Sequence, residues 1–189
     1  EGDRRDLSDI KYIIDLNTYN IDKESFKKFF WNMFIVDCLI GNTDRHNGNF
    51  GFIKNIKNKE LTLAPVYDCG SCLFSTFTDE KMEEVLNNEG LLRDCIKNNS
   101  SAIKYNGSKI KYYDFITSLK DEDCVKALIR IYPKIEIEKI NKKINKIPCI
   151  TYIRRESLSL LFSWPLSLLF LPLTFQDYTF KSPCGIIKP

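Results

Sequence analysis

Between Asp22 and Asp68 the sequence runs through a helix, a glycine stop, a polar loop and a hairpin, and no other stretch restricts the fold so tightly. Asp22 reads as the N-cap of a helix over 23 to 40, since its carboxylate can accept an unpaired amide of the first turn. Phe26, Phe29, Phe30, Met33, Phe34 and Ile40 recur near one face of that helix, the spacing of a stripe packed into a core. Gly41 ends the helix. Beyond the loop, Phe50 to Lys54 reads as a strand, Asn55 to Glu60 as a polar turn and Leu61 to Val66 as the return strand. With the tip near Asn58 and Lys59, the register places Asn49 opposite Asp68. Paired strands lie about 4.8 Å apart, so both side chains are expected within reach of one cation.

The loop itself is Gly41-Asn42-Thr43-Asp44-Arg45-His46-Asn47-Gly48-Asn49. Phosphoryl transfer from ATP asks for metal ligands that neutralise phosphate charge and a carboxylate that orients the attacking hydroxyl. In protein kinases that carboxylate and a metal-binding amide are spaced Asp-x-x-x-x-Asn, and a second acid follows on the far strand of a hairpin. Asp44, Asn49 and Asp68 reproduce the order. Asp15/Asn20, Asp37/Asn42 and Asp94/Asn99 share the spacing, but only Asp44/Asn49 lies in a glycine-bounded loop between an apolar helix and a hairpin. Turn formation alone accounts for the Asn and Asp of the loop, though not for Asp68. Gly70 is expected to supply the backbone freedom for a sharp turn after that residue.

These segments, Gly41 to Gly51 and Leu63-Ala-Pro-Val-Tyr-Asp-Cys-Gly-Ser71, resemble the catalytic loop and metal-binding segment of HipA-like bacterial serine/threonine kinases. The resemblance covers roughly residues 20 to 160, with sharp motifs in 40 to 73. It implies Asp44 as catalytic base, Asn49 and Asp68 as Mg²⁺ ligands, and His46 with Asn49 and Asp68 around ATP. It further implies a protein Ser/Thr substrate, and a DNA-binding antitoxin as a partner. The Asp-Arg-His-x-x-Asn order is also similar to phosphatidylinositol kinases, which leaves a lipid or small-molecule kinase as the alternative. His46 either contacts the terminal phosphate or bonds the loop backbone, with the second role favoured. Asp37 is expected to support backbone amides, and Arg45 has no assigned role. Ser71, Ser75 and Thr76 lie where self-phosphorylation could occur.

The implied fold is α+β and mostly helical, the C-terminal lobe of a protein-kinase-like fold. Further helices are expected near 79–98, 111–119, 122–131, 135–147 and 149–162, with Ile137, Ile140, Ile144 and Ile147 forming an apolar stripe. The expected domains are a polar lead-in over 1–22 that ends a missing N-terminal lobe, the kinase-like lobe over 23–162, and an atypical apolar tail over 163–189. No glycine-rich loop followed by a strand lysine precedes Asp44. As a whole polypeptide the chain is expected to bind Mg²⁺-ATP feebly without turnover, as a remnant or truncated pseudokinase-like binding module; as the C-terminal piece of a longer protein, it is expected to belong to an active kinase.

A net charge of +3 offers no electrostatic basis for direct nucleic acid binding. Ser157 to Gln176 carries no charge, yet Pro165 and Pro172 argue against a membrane span. Seven scattered cysteines read as reduced thiols of a cytoplasmic protein. Cys69-Gly-Ser-Cys72 reads as incidental spacing, since a zinc site would need a second pair and His46 is the only histidine.

Overall fold

Helix α2 (Lys23–Ile40) forms the axis of the fold, and its ends are set by the residues the sequence suggests. In the computed structural model, which describes residues 6–16, 21–148, 150–156 and 158–159, the Asp22 carboxylate accepts the Ser25 N–H at 2.7 Å. Gly41 closes the helix with left-handed backbone (φ 65°), a conformation that costs glycine nothing. Phe26, Phe30, Met33 and Phe34 are buried, and Trp31 and Ile35 join them. Trp31 stacks on Phe115 with centroids 5.9 Å apart, and Phe34 meets Tyr112 at 5.0 Å. Each such side chain contributes roughly 1.5–3 kcal/mol by leaving water. Against this stripe packs α6 (Glu122–Ile131), whose Cys124, Ala127 and Leu128 complete the main core.

Several elements depart from expectation. Within the stretch read as a polar lead-in, α1 (Leu7–Leu16) is an amphipathic helix that buries Leu7, Ile10 and Ile14 in the main core. The region after Asp68 is not purely helical either: β3 (Ser100–Tyr105) and β4 (Ser108–Lys111) pair antiparallel. Their turn, Asn106-Gly107, has positive φ at both residues (51° and 80°), the tight hairpin geometry for which Asn-Gly is the strongest sequence sign.

The single helix expected over 79–98 is two, α3 (Asp79–Leu86) and α4 (Glu89–Asn98). Asn88 breaks it by taking extended backbone and accepting the Leu91 N–H at 3.1 Å, thereby capping the second helix. Helix α5 (Tyr112–Thr117) follows β4 directly, α6 has the expected bounds, and α7 (Ile137–Ile144) is shorter than the expected 135–147. Ile144 is buried in a second apolar cluster with Met82, Val85, Leu92 and Ile96, and Ile137 and Ile140 pack on its edge. Ile147 remains exposed. Within the 149–162 expectation, residues 152–156 are helical.

The architecture is α+β and mostly helical, with two separate two-stranded sheets among the described residues. No helix among them is long and apolar enough to cross a membrane. The expected domain 163–189, and all of the uncharged run 157–176 except Leu158 and Ser159, lie outside the described residues.

The first hairpin forms, but with shorter strands and another register. Strands β1 (Phe52–Lys54) and β2 (Leu61–Leu63) pair so that Phe52 faces Leu63 and not Pro65. The expected facing of Asn49 with Asp68 is therefore wrong by two residues on the return strand. The cause is the turn. Asn55 donates its N–H to the Glu60 carbonyl at 2.8 Å, and its side-chain oxygen accepts the Lys57 N–H at 2.9 Å. Lys59 adopts left-handed backbone (φ 61°), and the tip centres between Lys57 and Asn58.

Candidate active site

The loop after α2 is held by a buried ion pair that the sequence reading left unassigned. Asp37, on the last turn of α2, is 1% exposed and Arg45 is fully buried. Arg45 Nε donates to Asp37 Oδ2 at 2.7 Å and Nη2 to Oδ1 at 3.0 Å, a two-point clasp. Asn42 Nδ2 donates to the same Oδ1 at 2.8 Å. The Asp37 carboxylate thus serves side chains, and the expectation that it supports backbone amides is corrected. Burial lowers the Arg45 pKa, but the hydrogen bonds and charge of Asp37 more than offset it, so the guanidinium lies above its ordinary value.

Arg45 also joins the loop to the hairpin's far arm. Its Nη1 donates to the Asn49 carbonyl and, at 2.8 Å, to the Tyr67 carbonyl. Asn49 and Tyr67, on opposite sides of the hairpin, therefore meet on one nitrogen. Tyr67 adds a second tie, donating its hydroxyl to the Gly48 carbonyl at 3.1 Å. Beneath the loop, the buried Tyr112 hydroxyl donates to the Asn42 carbonyl at 2.8 Å. Burial, then the Asp37 charge, holds the Tyr112 pKa well above its ordinary value, so this donor keeps its proton.

The expected site residues take distinct positions. The Asp44 N–H donates to Asn42 Oδ1 at 3.1 Å, and its carbonyl accepts Asn49 Nδ2 at 2.9 Å. Its backbone is tied while its carboxylate is exposed, with no donor to it among the described residues. Asn49 is 4% exposed, and because its amide nitrogen is engaged by Asp44, its Oδ1 is the atom left for a ligand. Asp68 is exposed and holds left-handed backbone (φ 55°), and the turn expected at Gly70 follows it. Such backbone is uncommon for a side-chain-bearing residue, and Asp tolerates it better than most. His46 Nδ1 accepts the Gly48 N–H at 3.0 Å, which shapes the loop and leaves Nε2 as the protonated nitrogen of the neutral ring.

A methyl group at Gly48 would sit 2.9 Å from the His46 ring. Gly48→Ala is therefore expected to push the imidazole from its place and break the 46–48 bond. An unchanged His46 ring resonance in NMR spectra of that variant would contradict the contact.

The segment after Asp68 returns to the loop: Ser71 O accepts the Thr43 N–H at 3.3 Å and Ile40 O accepts the Leu73 N–H at 2.7 Å. Of the functional residues missed, Asp37 and Arg45 had a sequence signal. An acid on the buried face of an aromatic-striped helix demands a cation, and Arg45 is the nearest one downstream.

Comparison with known proteins gives the family and the fold. The HipA-like C-terminal domain matches residues 7–134. The chain is 43% identical over 159 residues to the serine/threonine-protein kinase CtkA of Helicobacter pylori (strain J99), covering 83% of this chain and 49% of that protein. It also superposes on a crystal structure of the Helicobacter pylori proinflammatory kinase CtkA with a TM-score of 0.87 and 39% identity, covering 92% of this chain and 64% of that one. This chain thus spans about half the length of the curated relative. Its loop over 41–49, the segment around Asp68 and the helices that carry them fall within the match, and the chain belongs to the HipA-like C-terminal domain family.

Proposed function

We propose that residues 23–162 form the metal- and acceptor-binding lobe of an ATP-dependent protein serine/threonine kinase, with α1 packed against it. The observation that carries this reading is the bond between Asn49 Nδ2 and the Asp44 carbonyl, in a loop that Arg45 ties to the residue before Asp68. That bond holds Asn49 against Asp44, and the tie from Arg45 brings the residue before Asp68 to the same loop. Asn49 Oδ1 and the Asp68 carboxylate are the hard oxygen donors Mg²⁺ takes, and this ion is commonly held by one or two such groups plus phosphates and water. When bound, Mg²⁺ supplies charge neutralisation at the phosphate oxygens.

In this mechanism the acceptor hydroxyl oxygen attacks the terminal phosphorus of ATP, the bond to ADP breaks, and Asp44 takes the hydroxyl proton. Asn49 and Asp68 would hold the cation, and His46 Nε2–H would be the donor available to the phosphates. A DNA-binding antitoxin is the partner that the family resemblance suggests.

The test joins the N-terminal half of the Helicobacter pylori relative to residues 7–189 and follows radiolabelled phosphate from ATP to a Ser/Thr protein. Transfer that requires Mg²⁺ and stops on chelation is expected; a folded chimera with no transfer would refute the reading. The 189-residue chain alone is expected to bind Mg²⁺-ATP feebly and to show no turnover, since no glycine-rich loop followed by a strand lysine precedes Asp44 in its sequence. In the chimera, Asp68→Ala should weaken Mg²⁺-dependent nucleotide binding by roughly tenfold, the lower end of what losing even an outer contact to a metal costs. Equal affinity by calorimetry would remove Asp68 from the metal.

A further inference from the structure

The Cys69-Gly-Ser-Cys72 spacing, incidental for zinc, acquires a meaning in three dimensions. Gly70 and Ser71 form a turn, and the ends of such a turn lie within about 7 Å, the range a disulfide spans. Cys69 is exposed and Cys72 is buried beneath it. Arg45 Nη2 donates to Cys69 Sγ at 3.6 Å, from the same guanidinium that clasps Asp37, Asn49 and Tyr67. One sulfur of the pair therefore touches the group that joins the loop to the segment bearing Asp68.

We propose that Cys69 and Cys72 are a peroxide-sensitive thiol pair that closes to an intrachain disulfide, withdrawing the Cys69 sulfur from Arg45 and loosening the loop from the segment around Asp68. In the first step the Cys69 sulfur attacks one peroxide oxygen. The O–O bond breaks, one water leaves, and Cys69 becomes a sulfenic acid. Cys72 sulfur then attacks the Cys69 sulfur, the S–S bond forms, and the hydroxyl leaves with the Cys72 proton as a second water. Two thiols lose two electrons and peroxide is reduced to water.

The order follows from access. Cys69 is open to solvent while Cys72 is buried, so peroxide meets Cys69 first. Among the described residues the rivals are poorer targets. Burial raises the Cys38 thiol to about 12 and raises those of Cys95 and Cys124 as well.

The experiment treats the full 189-residue chain with hydrogen peroxide and maps tryptic peptides by mass. The peptide running from Glu60 to Lys81 is expected to lose two hydrogens and to regain them with dithiothreitol. In Cys72→Ser that loss should vanish, and a dimedone probe should capture Cys69 instead. A peptide that keeps both thiols at doses oxidising a free cysteine peptide would overturn the pair, as would Cys69 bridging to another cysteine. Hydrogen exchange across residues 40–50 and 64–73 should rise several-fold in the disulfide form. A closed disulfide with exchange unchanged would overturn the coupling to Arg45. Neither readout depends on phosphoryl transfer, so failure of the kinase reading and failure of this one are separable.

Discussion

Arg45→Met destabilises the chain by roughly 3–5 kcal/mol, because it strands the Asp37 carboxylate in the interior without a cation. The same change leaves the carbonyls of Asn49 and Tyr67 without their shared donor. For a chain of this size each kcal/mol is worth about 2–4 °C, so thermal unfolding should occur roughly 6–20 °C below the parent. Methionine fills much of the arginine volume, so lost packing is a minor part of the effect. Asp37→Ala combined with Arg45→Met should cost less than the sum of the two single changes, because the double variant buries no unpaired charge. Additive single and double effects would show that the pair does not act as a unit. A midpoint for Arg45→Met close to the parent's would deny Arg45 its part in holding the loop.

In a chimera that transfers phosphate, Asp44→Asn is expected to slow transfer by roughly 10²-fold or more while leaving ATP affinity little changed. The structure gives the reason for this split. Asp44 is held through its backbone, by Asn42 Oδ1 and Asn49 Nδ2, while its carboxylate makes no structural bond among the described residues. Asparagine keeps the shape and those backbone contacts but cannot take the hydroxyl proton. Its fold and its binding of nucleotide should persist. A transfer rate within a few-fold of the parent would remove Asp44 as the base, and a large loss of ATP affinity would make it a binding residue.

How much of this could be read from the residues varies with the range of the forces involved. The bounds of α2 were legible because its signals are local: a carboxylate one residue before the first turn, and a glycine free to turn left-handed at the end. The second hairpin was equally legible in Asn106-Gly107, but the helical reading of its surroundings passed over that pair. The α1 stripe of Leu7, Ile10 and Ile14 was present too, hidden among the charges of the first residues. The break at Asn87-Asn88 was subtler, since asparagine caps a helix only if the chain turns extended there.

By itself, then, the sequence determined the succession of helix, stop, loop and hairpin, the residue types gathered in 42–49, and the family to which they point. Tertiary structure alone decided the register of the first hairpin. A slip of two residues returns every side chain to the face it left, so apolar alternation cannot detect it, and the bonds of Asn55 across the turn settle the matter. It also decided which charges meet. Desolvation inside the core gives Arg45 and Asp37 no alternative to each other, and that pairing draws Asn49 and Tyr67 together where strand pairing does not.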